Sequence, residues 1–345
     1  MTRIRDIAER AGVSITTVSH VLNKSRFVHP DTEKRVLEAV EVLRYQPNML
    51  ARSLRRRQTN TIGLLVSDIE NPYFTEVAYA VETTAYQRGY NMILCNTDED
   101  LAKEIRYVDV LFAKQIDGLI LAPAPGDHAF LNRYLDQGER VVLVNRCIPD
   151  FPGPAVVCDD EEAMYRLATL LLEGGQRRVG AILGLEQVST TADRLRGLRR
   201  ALEQHGQSLK DAWLFDGRAR QAGGYRAAQE LIQMADPPCC VIAFNSVMLN
   251  GFLLGLFDLA PHLVQQIERT SFGYSPLARI CQPSRHYIAQ PSYKVGHVAA
   301  NLLLDVLAGA AAWRAERVVL ENSLVEVGTT LARYPAEGLL GRGQY

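Results

Sequence analysis

From Thr61 to Gly273 the chain repeats one pattern: a short apolar run, a polar loop, then a longer segment of helical period. Thr61–Ser67, Tyr90–Cys95, Gly118–Ala122 and Val141–Val144 read as strands, with helices at Tyr73–Arg88, Leu101–Lys114 and Phe130–Gln137 between them. Strands that are apolar on both faces belong in a sheet covered from both sides, and strand–helix alternation lays successive strands parallel. The prediction is an α/β fold with doubly wound parallel sheets. The strand series restarts at Ala155–Val157 and continues through Val179–Leu183, Val241–Phe244 and Thr270–Gly273. A chain of 345 residues has room for two such lobes beside a smaller head. Ligands of open α/β sheets bind beyond the carboxyl ends of the strands. Those ends carry Asp68–Phe74, Asn96–Asp98, Asn145-Arg146, Asp159-Asp160, Asn245-Ser246 and Tyr274-Ser275.

Composition narrows the classes further. At 47% hydrophobic and 22% charged the chain is globular rather than disordered. No apolar run approaches the ~20 residues that span a bilayer, and the charged N-terminus lacks the apolar region of a secretion signal. The expectation is a cytoplasmic protein with no membrane partner. Six scattered cysteines (Cys95, Cys147, Cys158, Cys239, Cys240, Cys281) form no C-x-x-C pair and read as reduced thiols. Phosphate loops, dinucleotide fingerprints, zinc helices and nucleophile elbows are missing from the sequence, and the seven histidines show no ligand spacing. No catalytic residue, metal site or cofactor is therefore assigned. Asp159-Asp160-Glu161-Glu162 reads as an acidic helix start that suits the helix dipole.

Charge is distributed unevenly. Residues 1–58 hold twelve Lys/Arg against six acids, a balance of +6, which leaves −7 for the remainder. A basic head on an acidic body points to a polyanion as the head's partner. Ile4, Ile7, Ala8 and Ala11 mark one face of a short helix, Gly12 supplies a tight turn, and Ser14 caps a second helix whose buried face is Val18, Val21 and Leu22. This is a helix-turn-helix, whose second helix enters the major groove. Ile15, Thr16, Thr17 and His20 are left on the surface to read bases. A third helix can begin at Asp31, with Val36, Leu37, Val40 and Leu43 as its core face. Beyond Pro47, Met49–Arg56 can form a short helix too small to persist alone, with Leu50 and Leu54 beside Arg52, Arg55, Arg56 and Arg57. Apolar wedges with basic neighbours open minor grooves, although a plain basic linker has the same composition.

Ser14–Val28 and Pro47–Leu54 together resemble the lac repressor family of bacterial regulators, and the likeness extends over essentially the whole chain. The head looks most like the purine- and ribose-repressor branch. The body, around Ile69-Glu70-Asn71 and Asn145-Arg146, looks more like the fructose-type catabolite regulator. The resemblance implies a DNA-binding domain over 1–58, with a hinge helix near 48–57 that orders on DNA. It implies operator contacts from Ser14, Thr16, Thr17, His20, Arg26 and Arg52, with Leu54 as the intercalating leucine. Residues 59–345 then form a hinged two-lobed effector-binding and dimerisation domain, with lobe 1 at about 60–160 and 291–322 and lobe 2 at about 161–290 and 323–345. The chain would cross between the lobes three times, and a homodimer would bind a pseudo-palindromic operator.

For the effector, the expected contacts are Tyr73, Phe74, Arg146, Arg194, Asn245, Ser246 and Ser275. Arg194 matches the family's effector-contacting arginine, and serines stand at 246 and 275 where many sugar-responsive members carry acids. Two guanidiniums and few acids favour an anionic metabolite, a sugar phosphate ahead of a free sugar. A neutral ligand follows instead if Arg146 pairs with an acid such as Asp150 or Asp160. A DNA-tethered enzyme and an architectural DNA-binding protein without ligand are the competing classes.

Overall fold

The computed structural model describes residues 3–23, 26–45, 58–281 and 285–326. The chain divides into two compact units, Met1–Thr59 and Asn60–Tyr345. The hinge segment with Arg52 and Leu54 and the C-terminal tail lie outside the described residues.

In the first unit, α1 (Ile4–Ala11), α2 (Ile15–Asn23) and α3 (Pro30–Val42) enclose a small core of Ile7, Ala8, Ala11, Val18, Val21, Val36 and Ala39. Gly12 sits at φ 64°, ψ 40°, the left-handed conformation that ends α1 and turns the chain sharply into α2. α3 departs from expectation twice. It starts at Pro30, with the His29 side chain accepting from Asp31 N, so Asp31 is inside the helix rather than at its start. Leu37 is 49% exposed, because Val36, Ala39, Val40 and Leu43 already complete the i, i+3, i+4, i+7 stripe that faces α1.

The second unit holds two parallel sheets. The first runs in the order β11-β5-β4-β3-β1-β2, with β1 Thr61–Val66, β2 Asn91–Asn96, β3 Gly118–Leu121, β4 Val141–Val144, β5 Ala155–Cys158 and β11 Arg317–Leu320. The strand at Ala155 therefore belongs to the first sheet instead of opening the second; its partners are β4 and β11. The inner strands are buried along almost their whole length, as two-sided coverage requires. The helical reading at Phe130–Gln137 shrinks to a 3-10 turn, Ala129–Leu131, and one short helix, Asn132–Leu135.

The second sheet runs β7-β6-β8-β9, with β6 Val179–Leu183, β7 Leu214–Asp216, β8 Cys240–Ala243 and β9 Glu268–Ser271. Beside it β10 (His286–Ala289) and β12 (Ser323–Glu326) pair antiparallel. The chain passes between the lobes after β5, after β10 and after β11. These crossings are laced together: Asn322 N donates to Asp159 Oδ1 at 2.6 Å and Asn322 Nδ2 to Asp160 Oδ1 at 2.9 Å. No described helix is long and apolar enough to cross a membrane. All six cysteines are unpaired. Burial pushes the thiols of Cys158 and Cys240 upward, so they pack as small apolar groups.

Candidate ligand cleft and nucleic-acid interface

The strand order of the first sheet reverses between β1 and β3, and the crevice above that point opens toward the second lobe. A cleft lies there, with about 40 Å³ of enclosed space in this closed arrangement of the lobes and a mouth open to solvent. Its walls come from segments after three strands of the first lobe and from the second lobe: Asp68, Asn71, Tyr73, Glu99 and Arg146 on one side, with Thr191, Arg194 and Asn245 among those opposite.

Asn71 accepts from Tyr73 N at 3.1 Å and so starts the helix Pro72–Gln87, placing Tyr73 and Phe74 on its first turn. The two rings meet edge to face at 5.1 Å. Both line the cleft, Phe74 with most of its ring packed into the lobe. The Tyr73 hydroxyl is buried and has no hydrogen-bond partner among the described residues. Burial raises its pKa well above the usual phenol range, so it is a neutral donor.

Both arginines expected in the cleft are there, and both are already engaged. The Arg146 guanidinium donates to both Glu99 carboxylate oxygens, at 2.6 and 2.7 Å, and to Pro123 O at 2.8 Å. Its partner is thus Glu99 and not Asp150 or Asp160. Asp98 and Glu99 both adopt left-handed backbone, at φ 61° and 60°, and this turn swings Glu99 back over the sheet from the end of β2. Arg194 donates to Asp160 Oδ2 from Nε at 2.8 Å and approaches it from Nη2 at 2.6 Å, donates to Phe244 O, and lies 4.0 Å over the Phe272 ring. Burial raises the Asp160 carboxyl, against which Arg194 and Asn322 pull it down.

Asn245 lines the cleft but uses both ends of its amide, accepting from Met248 N at 2.7 Å and donating to Ala219 O at 3.2 Å. Ser246 and Ser275 do not reach the cleft lining. Ser246 is buried against Gly273, and Ser275 donates to Asn250 Oδ1 at 2.6 Å while accepting from Ala278 N at 2.9 Å. Serine at these positions therefore caps and packs. Glu99, Thr190, Thr191 and Gln290 were not singled out from the sequence, and only their places after strands or at a crossing could have marked them.

In the head, Ser14 Oγ accepts from Thr17 N at 3.1 Å and lies 2.9 Å from Thr17 Oγ1, which fixes the first turn of α2. On α2, Ile15 and Thr16 are exposed and Thr17 and His20 half-buried; Arg26, beyond its end, is exposed. The start of α2 thus presents short hydroxyl side chains and an imidazole, the dimensions that fit a major groove.

Residues 3–48 match the family described as bacterial regulatory proteins, lacI family, and residues 59–260 match periplasmic binding proteins and sugar binding domain of LacI family. The chain belongs to the lacI family. Within it, the chain is 33% identical to the transcriptional repressor PurR of Aliivibrio salmonicida, over 88% of this chain and 92% of that one. Among solved structures, the transcriptional regulator CelR–cellobiose complex is 25% identical, with a TM-score of 0.69, over 95% of this chain and 99% of that one. The lac repressor dimer bound to operator and the anti-inducer ONPF shares the fold, with a TM-score of 0.81 at 21% identity over 95% and 99% of the two chains. This lacI-family chain is accordingly a ligand-responsive transcriptional regulator and not an enzyme.

Proposed function

We propose that the protein is a cytoplasmic repressor that binds a pseudo-palindromic operator as a homodimer and changes its hold on DNA when a small uncharged metabolite enters the cleft. Ser14, Thr16, Thr17, His20 and Arg26 read and hold the operator, with Arg52 and Leu54 from the hinge in the minor groove. Tyr73, Phe74, Arg146, Arg194 and Asn245 line the effector's seat.

One observation carries the effector reading: the Tyr73 hydroxyl, a buried neutral donor in the cleft wall with no partner among the described residues. Buried polar atoms are rarely left unpaired, and an acceptor on a ligand completes this one. The charge count supports an uncharged ligand. Arg146 faces Glu99 and Arg194 faces Asp160, so an anion entering here would add charge to pairs that are already neutral. A sugar or another polyhydroxylated compound can donate to the carboxylates and accept from Tyr73 without disturbing either pair. A free sugar thus ranks ahead of a sugar phosphate in this reading, the reverse of what two open guanidinium forks would favour.

Calorimetry tests this with matched pairs, free sugars and their phosphates, on wild type and Tyr73→Phe. The expected result is binding of a free sugar, weakened at least about fivefold by Tyr73→Phe, the loss of about one hydrogen bond. Preference for the phosphorylated partner, with no effect at Tyr73, would overturn the uncharged-effector reading. Sequencing the genomic DNA held by the protein tests the regulator half and names the operator.

A further inference from the structure

Arg220 lies in the second lobe, at the end of a turn that follows β7, yet its guanidinium reaches the first lobe. Nη1 lies 3.3 Å from Asp68 Oδ2, and Nη2 donates both to the Asp98 carboxylate and to Asp98 O at 3.1 Å. Asp68 follows β1 and lines the cleft; Asp98 follows β2. Its neighbour Ala219 also lines the cleft, so the bridge closes the rim beside the cavity. We propose that Arg220 is an electrostatic clasp between the lobes that sets the open–closed balance of the effector cleft, and with it how tightly a ligand is held. This rests on the reading of the cleft as the effector site.

Backbone geometry on both sides supports a clasp built for its position. Arg218 and Ala219 are left-handed at φ 50° and 58°, and the facing Asp98 and Glu99 at φ 61° and 60°. None of the four is glycine, and such residues collect where a clamp or switch over-determines the chain. The turn that presents Arg220 also has no slack beneath it. A Cβ on Gly223 would fall 1.8 Å from Gly217 O, and one on Gly217 would fall 2.3 Å from Met248 Sδ. Because the base is packed this closely, the turn cannot follow the first lobe outward, and separating the lobes must break the bridge.

Its electrostatics match. Asp68 is 4% exposed, and burial raises its pKa while Arg220 opposes the rise. Opening the lobes takes the Arg220 guanidinium away from this carboxylate and gives it water in exchange. Asp98 is more exposed; although desolvation pushes it upward, Arg220 and Lys103 hold it below the usual carboxylate range. On another side of the cleft Cys147 N donates to Ser189 Oγ at 3.1 Å, an uncharged tie between lobes that the clasp supplements.

Hydrogen–deuterium exchange by mass spectrometry on the full chain, with no ligand added, tests the proposal. Arg220→Gln is expected to speed exchange about tenfold in segments 66–75, 96–101 and 214–222, the ratio set by one charge-assisted contact of about 1.4 kcal/mol. The core segments 163–172 and 240–244 should stay unchanged. Asp98→Asn should produce part of the effect and add nothing on top of Arg220→Gln, and Arg220→Lys should fall between the two. Unchanged rims, additive effects, or an equal rise throughout the second lobe would each refute the clasp. Since no effector is present, this outcome is independent of the calorimetry, which alone decides whether the cleft binds a sugar.

Discussion

The Asp160–Arg194 pair allows a prediction with an internal control. Asp160 is 3% exposed and Arg194 7%, and three donors converge on the carboxylate, two from the guanidinium and one from Asn322 at 2.9 Å. Removing one member of a buried pair costs about 3–5 kcal/mol, because the survivor keeps its desolvation penalty without its compensation. The two survivors differ. A carboxylate left alone can take up a proton, and burial already pushes Asp160 in that direction; a guanidinium cannot shed its own. Asp160→Ala should therefore be the costlier variant, lowering the melting temperature by roughly 10 °C, while Arg194→Met loses about half as much. The pH dependence separates them again. In Arg194→Met the folded pKa of Asp160 lies still further above its unfolded value. Its stability is then fullest below the unfolded pKa and falls as pH rises through the folded one. Asp160→Ala has no such slope. Thermal melts followed by circular dichroism between about pH 4 and 8 measure both effects. Equal, pH-independent losses in the two variants would refute the assignment of this pair as a compensated buried charge.

Other outcomes can be stated briefly. Gly12→Ala should destabilise the head by about 1 kcal/mol through its positive φ alone, since a Cβ there meets nothing nearer than Arg35 Nη1 at 3.9 Å; a head that melts unchanged contradicts the turn. Operator affinity should fall at least about 10³-fold between roughly 50 and 200 mM salt as the basic head releases counterions, and fluorescence anisotropy reads this directly. Leu54→Ala should leave the melting temperature in place and cost roughly 1–3 kcal/mol of operator binding; the opposite pattern would make it a packing residue. Asp68→Asn should gain stability relative to wild type as pH rises from 3.8 through the raised folded pKa, because the wild type alone must then bury a charge; a gain on acidification would reverse the sign.

Much of this fold is legible from local pattern. The runs at Thr61, Gly118 and Val141 are apolar at every interior position, and a strand buried on both faces announces itself that way. β10, β11 and β12 do not. β11 is an edge strand with alternating exposure, and β10 and β12 are held by pairing with each other across about 35 residues of chain, which no window of sequence contains. The site divides similarly. Arg146 could be placed at the cleft from its position after a strand, and Arg194 through the family resemblance alone. Their partners could not, since Glu99 arrives by a left-handed turn at residues that carry no glycine to signal it. Ser246 and Ser275 misled for a related reason: a small hydroxyl after a strand suits a ligand and a helix start equally well.

The three crossings between the lobes behave as one mechanical part. A door hung on independent pins can rack and twist; with its pins bolted together it swings about a single axis. Asn322 bolts the third crossing to the first, and the ribbon of β10 and β12 bolts it to the second. Relative lobe motion is thereby reduced to an angle, and the angle is the whole vocabulary in which the cleft can speak. Two compounds of unrelated chemistry differ, to the rest of the molecule, only in the angle at which each leaves the hinge. Mixtures of agonist and antagonist should then follow a single competition curve, with one output scale shared by every ligand the cleft accepts.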